Sequence, residues 1–395
     1  MASESPLYLD ACATTPLLPE AQAAMALAQE TAWGNPSSLH GYGLAASESL
    51  ERSRQLLASL LGTTSEAVYL CSGATESVHL ALLGVASASS RPARLLISAV
   101  EHPAVVAAAD QLRSHGWEVT PLPVDAAGRV LLEPLQALLE PPTQLVSVLA
   151  AQSEVGTLQP IDTIARLCRE AGVLFHTDAV QLAPHQPINF GSAAIDLLTL
   201  TAHKLGGPRG VGALLVQPRS RQRIGPLLGG GAQERGLRAG TEAVVLAAGF
   251  AAALQAGHQR HQTGETLQLQ QLRDRLLDAL LELPGVRLSG AQPDQGRLPH
   301  HISLILEGSG ACPISGRQVV RRLWQQGVAA SSGSACSSGS PASAASPVLL
   351  AMGYTSEQAA AGLRLSLLPI GAGHHEDQLL TRVPAALAQA LAACS

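Results

Sequence analysis

Between about residues 66 and 216 the chain alternates short apolar, β-branched runs with stretches of helical periodicity. The runs AVYLCS (67–72), RLLISAV (94–100), WEVTPLPV (117–124), QLVSVLA (144–150), VLFHTDA (173–179), DLLTLTA (196–202) and VGALLVQ (211–217) read as strands. Segments such as ESVHLALLGVAS after Thr75 and DTIARLCREAG after Ile161 read as helices between them. Strands that alternate with helices pair in parallel, so the pattern predicts an α/β fold with a mostly parallel seven-stranded sheet covered by helices. A long helical stretch at 265–283 follows the glycine-rich segment 225–240 and carries the chain into a smaller α+β part. There the strand LPHHISLILEG and the helix RQVVRRLWQQG precede a low-complexity segment, 331–347. The expected division is a large domain over 15–262 and a small one made of 1–14 plus 263–395.

Composition narrows the functional classes. With 395 residues, 46% of them hydrophobic and 14% charged, a sizeable core is available. A net charge of −5 with dispersed basic residues lacks the footprint of a nucleic-acid binder, and no nucleic acid is expected as a direct partner. The one dense basic patch, PRSRQR (218–223), reads as a solvated loop. The N-terminus has no basic-then-apolar leader, and the longest apolar run, AVVLAAGFAAAL (243–254), is too short to span a bilayer, so no membrane role is expected. Six scattered cysteines without a CxxC pair argue against a zinc site or disulfide framework and for the reducing cytoplasm. The histidine pairs 300/301, 374/375 and 258/261 lack ligand geometry, since strand neighbours face opposite sides and 258/261 has no third ligand nearby.

In an open α/β sheet ligands collect at the carboxyl ends of strands, and four polar segments follow strands or helices there. CSGATES (Cys71–Ser77) runs from a strand into a helix; Gly73, Ala74 and Thr75 form either a phosphate cup of backbone N–H groups or a plain N-cap. In HTDAVQ (His176–Gln181), Asp178 either caps the next segment or meets a cationic ligand atom. In TAHKLGGPRGVG (Thr201–Gly212), Lys204 sits beside His203 and two glycines, where desolvation makes an amine nucleophilic enough to form a Schiff base. GGGAQERGLRAGTE (Gly229–Glu242) lacks hydrophobic periodicity and reads as a functional loop, with Thr241 at a helix entrance. A cup for phosphate, a carboxylate for a ring nitrogen and a lysine for an aldehyde together suit pyridoxal 5'-phosphate. The segment SSGSACSSGS (331–340) adds a thiol, Cys336, with no bulky neighbour to bury it; the expectation is a displayed cysteine.

These motifs, with YLDACATTP, GNPSSLHGYG and VEHPAV, fall in the order of a known family, and the chain resembles the NifS/IscS-like cysteine desulfurases of the class V aminotransferase group. The resemblance implies a fold-type I pyridoxal-phosphate enzyme that removes sulfur from L-cysteine, giving L-alanine and a persulfide on Cys336. It implies that Lys204 bonds the cofactor, Asp178 holds its ring nitrogen, Gln181 reaches its phenolic oxygen and His102 stacks on the ring. It further implies that Thr75, Thr201 and His203 hold the phosphate together with Thr241 of the partner in a homodimer, and that Arg364 binds the substrate carboxylate. The expected acceptor of sulfur is a protein, an iron–sulfur scaffold or a tRNA-thiolation carrier. Three positions depart from the family: Ser153 stands where Asn is usual, Ala243 replaces an Asn, and Leu368-Pro369 replaces Gly-Arg. Ser153, still expected beside the cofactor, keeps open a selenocysteine or cystine C–S lyase of the same fold; a non-catalytic cofactor-binding scaffold is the alternative from another class. A nicotinamide dehydrogenase is disfavoured, because no GxGxxG follows a first βαβ strand.

Overall fold

The computed structural model describes residues 5–307, 314–333, 345–370 and 376–394. The first part of the chain forms β1 (Leu7–Tyr8), α1 (Pro19–Thr31), α2 (Gly41–Leu60), β2 (Val68–Cys71), α3 (Ala74–Ala88), β3 (Arg94–Ser98) and α4 (Pro103–Ser114). There follow β4 (Glu118–Leu122), α5 (Leu132–Leu138), β5 (Thr143–Ser147), α6 (Ile161–Glu170), β6 (Leu174–Asp178), β7 (Leu197–Thr201) and β8 (Gly212–Val216). The remainder comprises α7 (Val244–Gln262), α8 (Glu265–Leu281), β9 (Val286–Leu288), β10 (His301–Leu306), α9 (Gly316–Gln325) and β11 (Val328–Ala329). The last elements are α10 (Pro347–Ala351), α11 (Ser356–Ala360), β12 (Gly362–Ser366) and α12 (Glu376–Ala392).

The seven expected strands form one sheet in the order β2-β8-β7-β6-β5-β3-β4. Side chains alternate between two cores with the period of two that a strand imposes. Leu95, Leu145, Leu174, Leu197 and Leu214 pack with α3 and α4, while Leu96, Val146, Phe175, Leu198 and Leu215 pack with α2 and α7. Burial on both faces explains why these strands read as continuous apolar runs.

A third core gathers β10, β12, α8, α9 and α12, and Leu7 and Leu9 from the start of the chain join it. β10 pairs antiparallel with β9 and β12, and β1 lies parallel to β11. A smaller cluster of Val100, Leu149, Val155, Ile305, Val348 and Leu349 fixes loops of the large sheet against β10 and α10. That contact brings Arg364 on β12 to the edge of the sheet described next.

Candidate active site

β3, β5, β6 and β7 run parallel, and β8 is antiparallel to both β7 and β2, so β2 points the same way as β7. All five carboxyl ends therefore open on one edge. At that edge Gly212 lies in register between Cys71 and Thr201. A Cβ there would meet the Leu200 carbonyl oxygen at 2.6 Å and the Gly73 Cα at 2.8 Å, so only glycine lets the cup close against β7. Gly73 itself has φ 155° and precedes α3 without a side-chain cap, which leaves the first-turn N–H groups at Ala74 and Thr75 facing outward. Thr75 is exposed at the rim and Thr201 is buried, its hydroxyl 3.4 Å from the Val211 carbonyl.

His102, Ser153, Asp178, Gln181 and Lys204 line one small cleft at this edge, so five of the expected residues meet. Lys204 is the only lysine among the 25 lysine and arginine residues of the chain. Arginine serves every other Lys/Arg position, and because its guanidinium stays protonated, Lys204 is the one such side chain able to form a Schiff base. Asp178 ends β6, and its Oδ1 accepts the Val180 N–H at 2.9 Å. His102 is the N-cap of α4: its Nδ1 accepts the Ala104 N–H at 3.1 Å, which places the proton of the neutral ring on Nε2. Burial lowers the His102 imidazole; Asp178 opposes that and Lys204 reinforces it. Gln181 donates from Nε2 to the Cys12 carbonyl at 3.0 Å. His203 lies 3.1 Å from the Thr14 hydroxyl, and burial, followed by Lys204 and Arg209, lowers it to about 4. A neutral His203 can offer an anion a hydrogen bond but no charge.

Glu101, one residue before His102, was legible only as part of VEHPAV. Its Oε1 accepts the Ser98 hydroxyl at 2.8 Å and the Leu149 N–H at 2.9 Å, tying the β3 and β5 loops together. Burial raises it to about 8, and its Oε2 is buried without a partner, as suits a protonated carboxyl.

Arg364 is buried on β12 and donates to Asp10 Oδ1 at 2.7 Å and to the Ser153 carbonyl at 3.1 Å. It thus reaches the cleft wall from the smaller sheet. His301 Nε2 donates to the same Ser153 carbonyl, 3.0 Å away, and His300 faces Cys12 Sγ at 3.2 Å, so this histidine doublet is buried structure. Cys336, Cys312 and the pair 374/375 lie outside the described residues.

The glycine-rich loop is fastened by ion pairs that the sequence does not advertise. Arg238 pairs with Glu76 at 2.8 Å, and Glu76 also accepts the Ser72 N–H, so the loop is tied to the cup. Glu234 receives Arg54 through two bonds of 2.7 and 2.9 Å and the Leu70 N–H at 2.8 Å, all buried. Glu234 and Arg235 hold φ of 45° and 53°, strain that these contacts and the Arg235 guanidinium over the Tyr69 ring at 4.4 Å offset. Glu234→Ala should therefore strand the Arg54 charge and cost about 3–5 kcal/mol of stability, read as a lowered denaturation midpoint. A midpoint within error of the parent would show the pair to be dispensable. PRSRQR differs from a merely solvated loop: Arg219 pairs with Asp196 at 3.1 Å and Ser220 is buried on the same carboxylate. Thr241 stands apart from the cleft, in a hollow with Trp33, Asn35 and Val244.

The Aminotransferase class-V family matches residues 7–370. The cysteine desulfurase IscS of Methanosarcina thermophila is 38% identical over 380 residues, 96% of this chain and 91% of that one. Among solved structures, a NifS-like protein superposes with a TM-score of 0.87 at 30% identity, covering 97% of this chain and all of its own. SspA in complex with cysteine superposes with a TM-score of 0.77 at 28% identity, over 92% of this chain and 99% of that one.

Proposed function

The chain belongs to the class V aminotransferases and, within them, to the cysteine desulfurases, and from that premise we propose how its own residues divide the work. The family uses pyridoxal 5'-phosphate, which when bound supplies an electron sink for the substrate α-carbon. The residues at the sheet edge fit that group: a lone lysine, a carboxylate, a glycine-bounded cup with free N–H groups and a histidine-lined wall. Lys204 would hold it and, as an amine, could take the α-proton of L-cysteine. Asp178 would hold the ring nitrogen, Gln181 the phenolic oxygen and His102 the ring face, with Nε2 available to carry a proton. Gly73, Ala74, Thr75, Thr201 and His203 hold the phosphate, and Arg364 grips the substrate carboxylate beside Ser153. The Cys336 thiolate takes the substrate sulfur: L-cysteine and the thiol become L-alanine and a persulfide, with no outside oxidant. A protein acceptor then receives the sulfur.

The single lysine in the cleft beside Asp178 carries this reading. Its test is incubation of the purified holoprotein with L-cysteine. One alanine should appear per sulfur transferred, and release of pyruvate in place of alanine would favour the C–S lyase alternative.

Placement of 1–14 with 263–395 in a small domain is supported by β1 and Leu9 packing in the third core. A homodimer is supported by the distance of Thr241 from its own cleft and by exposed apolar residues near it. Trp33 and Tyr42 pack as a tilted ring pair with centroids 4.9 Å apart, and Leu39 is 92% exposed. If Thr241 completes the partner's phosphate site, Thr241→Ala should weaken cofactor affinity about tenfold or more, the worth of a hydrogen bond to a charged group. Equilibrium dialysis measures this, and a monomer in sedimentation with full cofactor retention would reject it. Among the described residues no helix is long and apolar enough to cross a membrane.

A further inference from the structure

A second cavity, of about 650 Å³, shares Lys204 and Gln181 with the cleft and is otherwise lined by residues that the reaction with L-cysteine does not use. Its volume is that of a ligand pocket and exceeds what a cysteine side chain fills. Leu17, Leu18, Leu205 and Leu368 give it an apolar wall. Pro369 adjoins Leu368 in the same wall.

Its polar groups share one pattern. Arg260 lines the cavity, half-buried, and its guanidinium makes no hydrogen bond or ion pair among the described residues. Glu20 and Glu265 line it too and act on Arg260 through space without closing to an ion pair. A lone guanidinium would call for a simple anion; a guanidinium with two carboxylates nearby matches a group that carries both charges. His300, 2% exposed in the same wall, spends Nε2 on Cys12 and leaves Nδ1 buried with no partner, a polar position that an interior rarely leaves open. His185 stacks on it with ring centroids 3.9 Å apart.

We propose that this cavity receives a second α-amino-acid head carried on the substrate sulfur, as in a disulfide- or thioether-linked pair of amino acids. The proposal rests on the reading of the Lys204 cleft as the site of the first head. The linking CH₂–S segment then crosses the leucine wall, Arg260 takes the distal carboxylate, and Glu20 and Glu265 face the distal ammonium.

The test uses the holoprotein and two thioethers that differ only in the outer group: L-lanthionine, with a second amino-acid head, and S-methyl-L-cysteine, without one. Calorimetry should find L-lanthionine bound about tenfold or more tightly, as one charge-assisted contact allows. Arg260→Gln and, separately, Glu265→Gln should shrink that ratio towards one, with the cofactor spectrum retained as a check on folding. Equal affinities in the parent protein, or an unchanged ratio in Arg260→Gln, overturn the proposal. Failure of both ligands to bind would overturn the reading of the cleft itself, so the two failures are distinguishable.

Discussion

Lys204→Ala should yield a folded protein that holds pyridoxal 5'-phosphate without a covalent bond and no longer turns over L-cysteine. The fold should persist because Lys204 lies after β7, outside the three large cores, and contributes no apolar packing. The cofactor should still bind, more weakly, because Asp178 and the cup at Gly73–Thr75 are untouched. Turnover should fall by at least about 10²–10⁴, the range a positioned proton-transfer group supplies. Borohydride reduction of the parent followed by peptide mapping is unusually decisive here. The chain has no second lysine, so the only other amine is the N-terminus. A pyridoxyl group found there, or an alanine variant as active as the parent, would remove Lys204 from its role.

The parts of this molecule visible in the sequence share a physical cause. The strands were legible because burial on both faces leaves unbroken apolar runs, and Asp178, Lys204 and the cup were legible because polar residues directly after such runs have few structural uses. What escaped depends on residues far apart in the chain. Arg54 sits on a helix as an ordinary surface cation would, and only the fold brings Glu234, 180 residues on, into two bonds with it. The raised pKa of Glu101 follows from burial beneath the β5 loop, which no local pattern encodes. The Arg260 cavity joins the first turn of α1, the end of α7 and the loop after β12. The solitary lysine, by contrast, was countable from the start, and the fold adds that it lines the same cleft as Asp178.

Cys336→Ser should separate the two halves of the reaction. The residue lies outside the described residues, but both flanks of its segment are fixed beside the cleft. Ser331 exchanges backbone hydrogen bonds with Arg364 at 3.1 and 2.7 Å. A Cβ on Gly333 would lie 3.3 Å from Glu154 Oε2, and Ser346 donates to that same oxygen at 2.6 Å. In the sequence the thiol follows Gly333 by three residues and stands among Ser, Gly and Ala, which are too small to bury it. A free thiol has a pKa of about 8.5, so a minor fraction is thiolate at neutral pH, and the segment offers no basic neighbour. Activation must come from the cleft. Serine keeps the shape and lacks the thiolate, so the variant should bind cofactor and L-cysteine as the parent does while forming no alanine by sulfur transfer. The parent, incubated with L-cysteine, should gain one sulfur on the peptide containing Cys336, removable by a thiol reductant. A serine variant that still releases alanine and sulfide at the parent rate would make this thiol a bystander, and the sulfur would then leave the substrate by elimination alone.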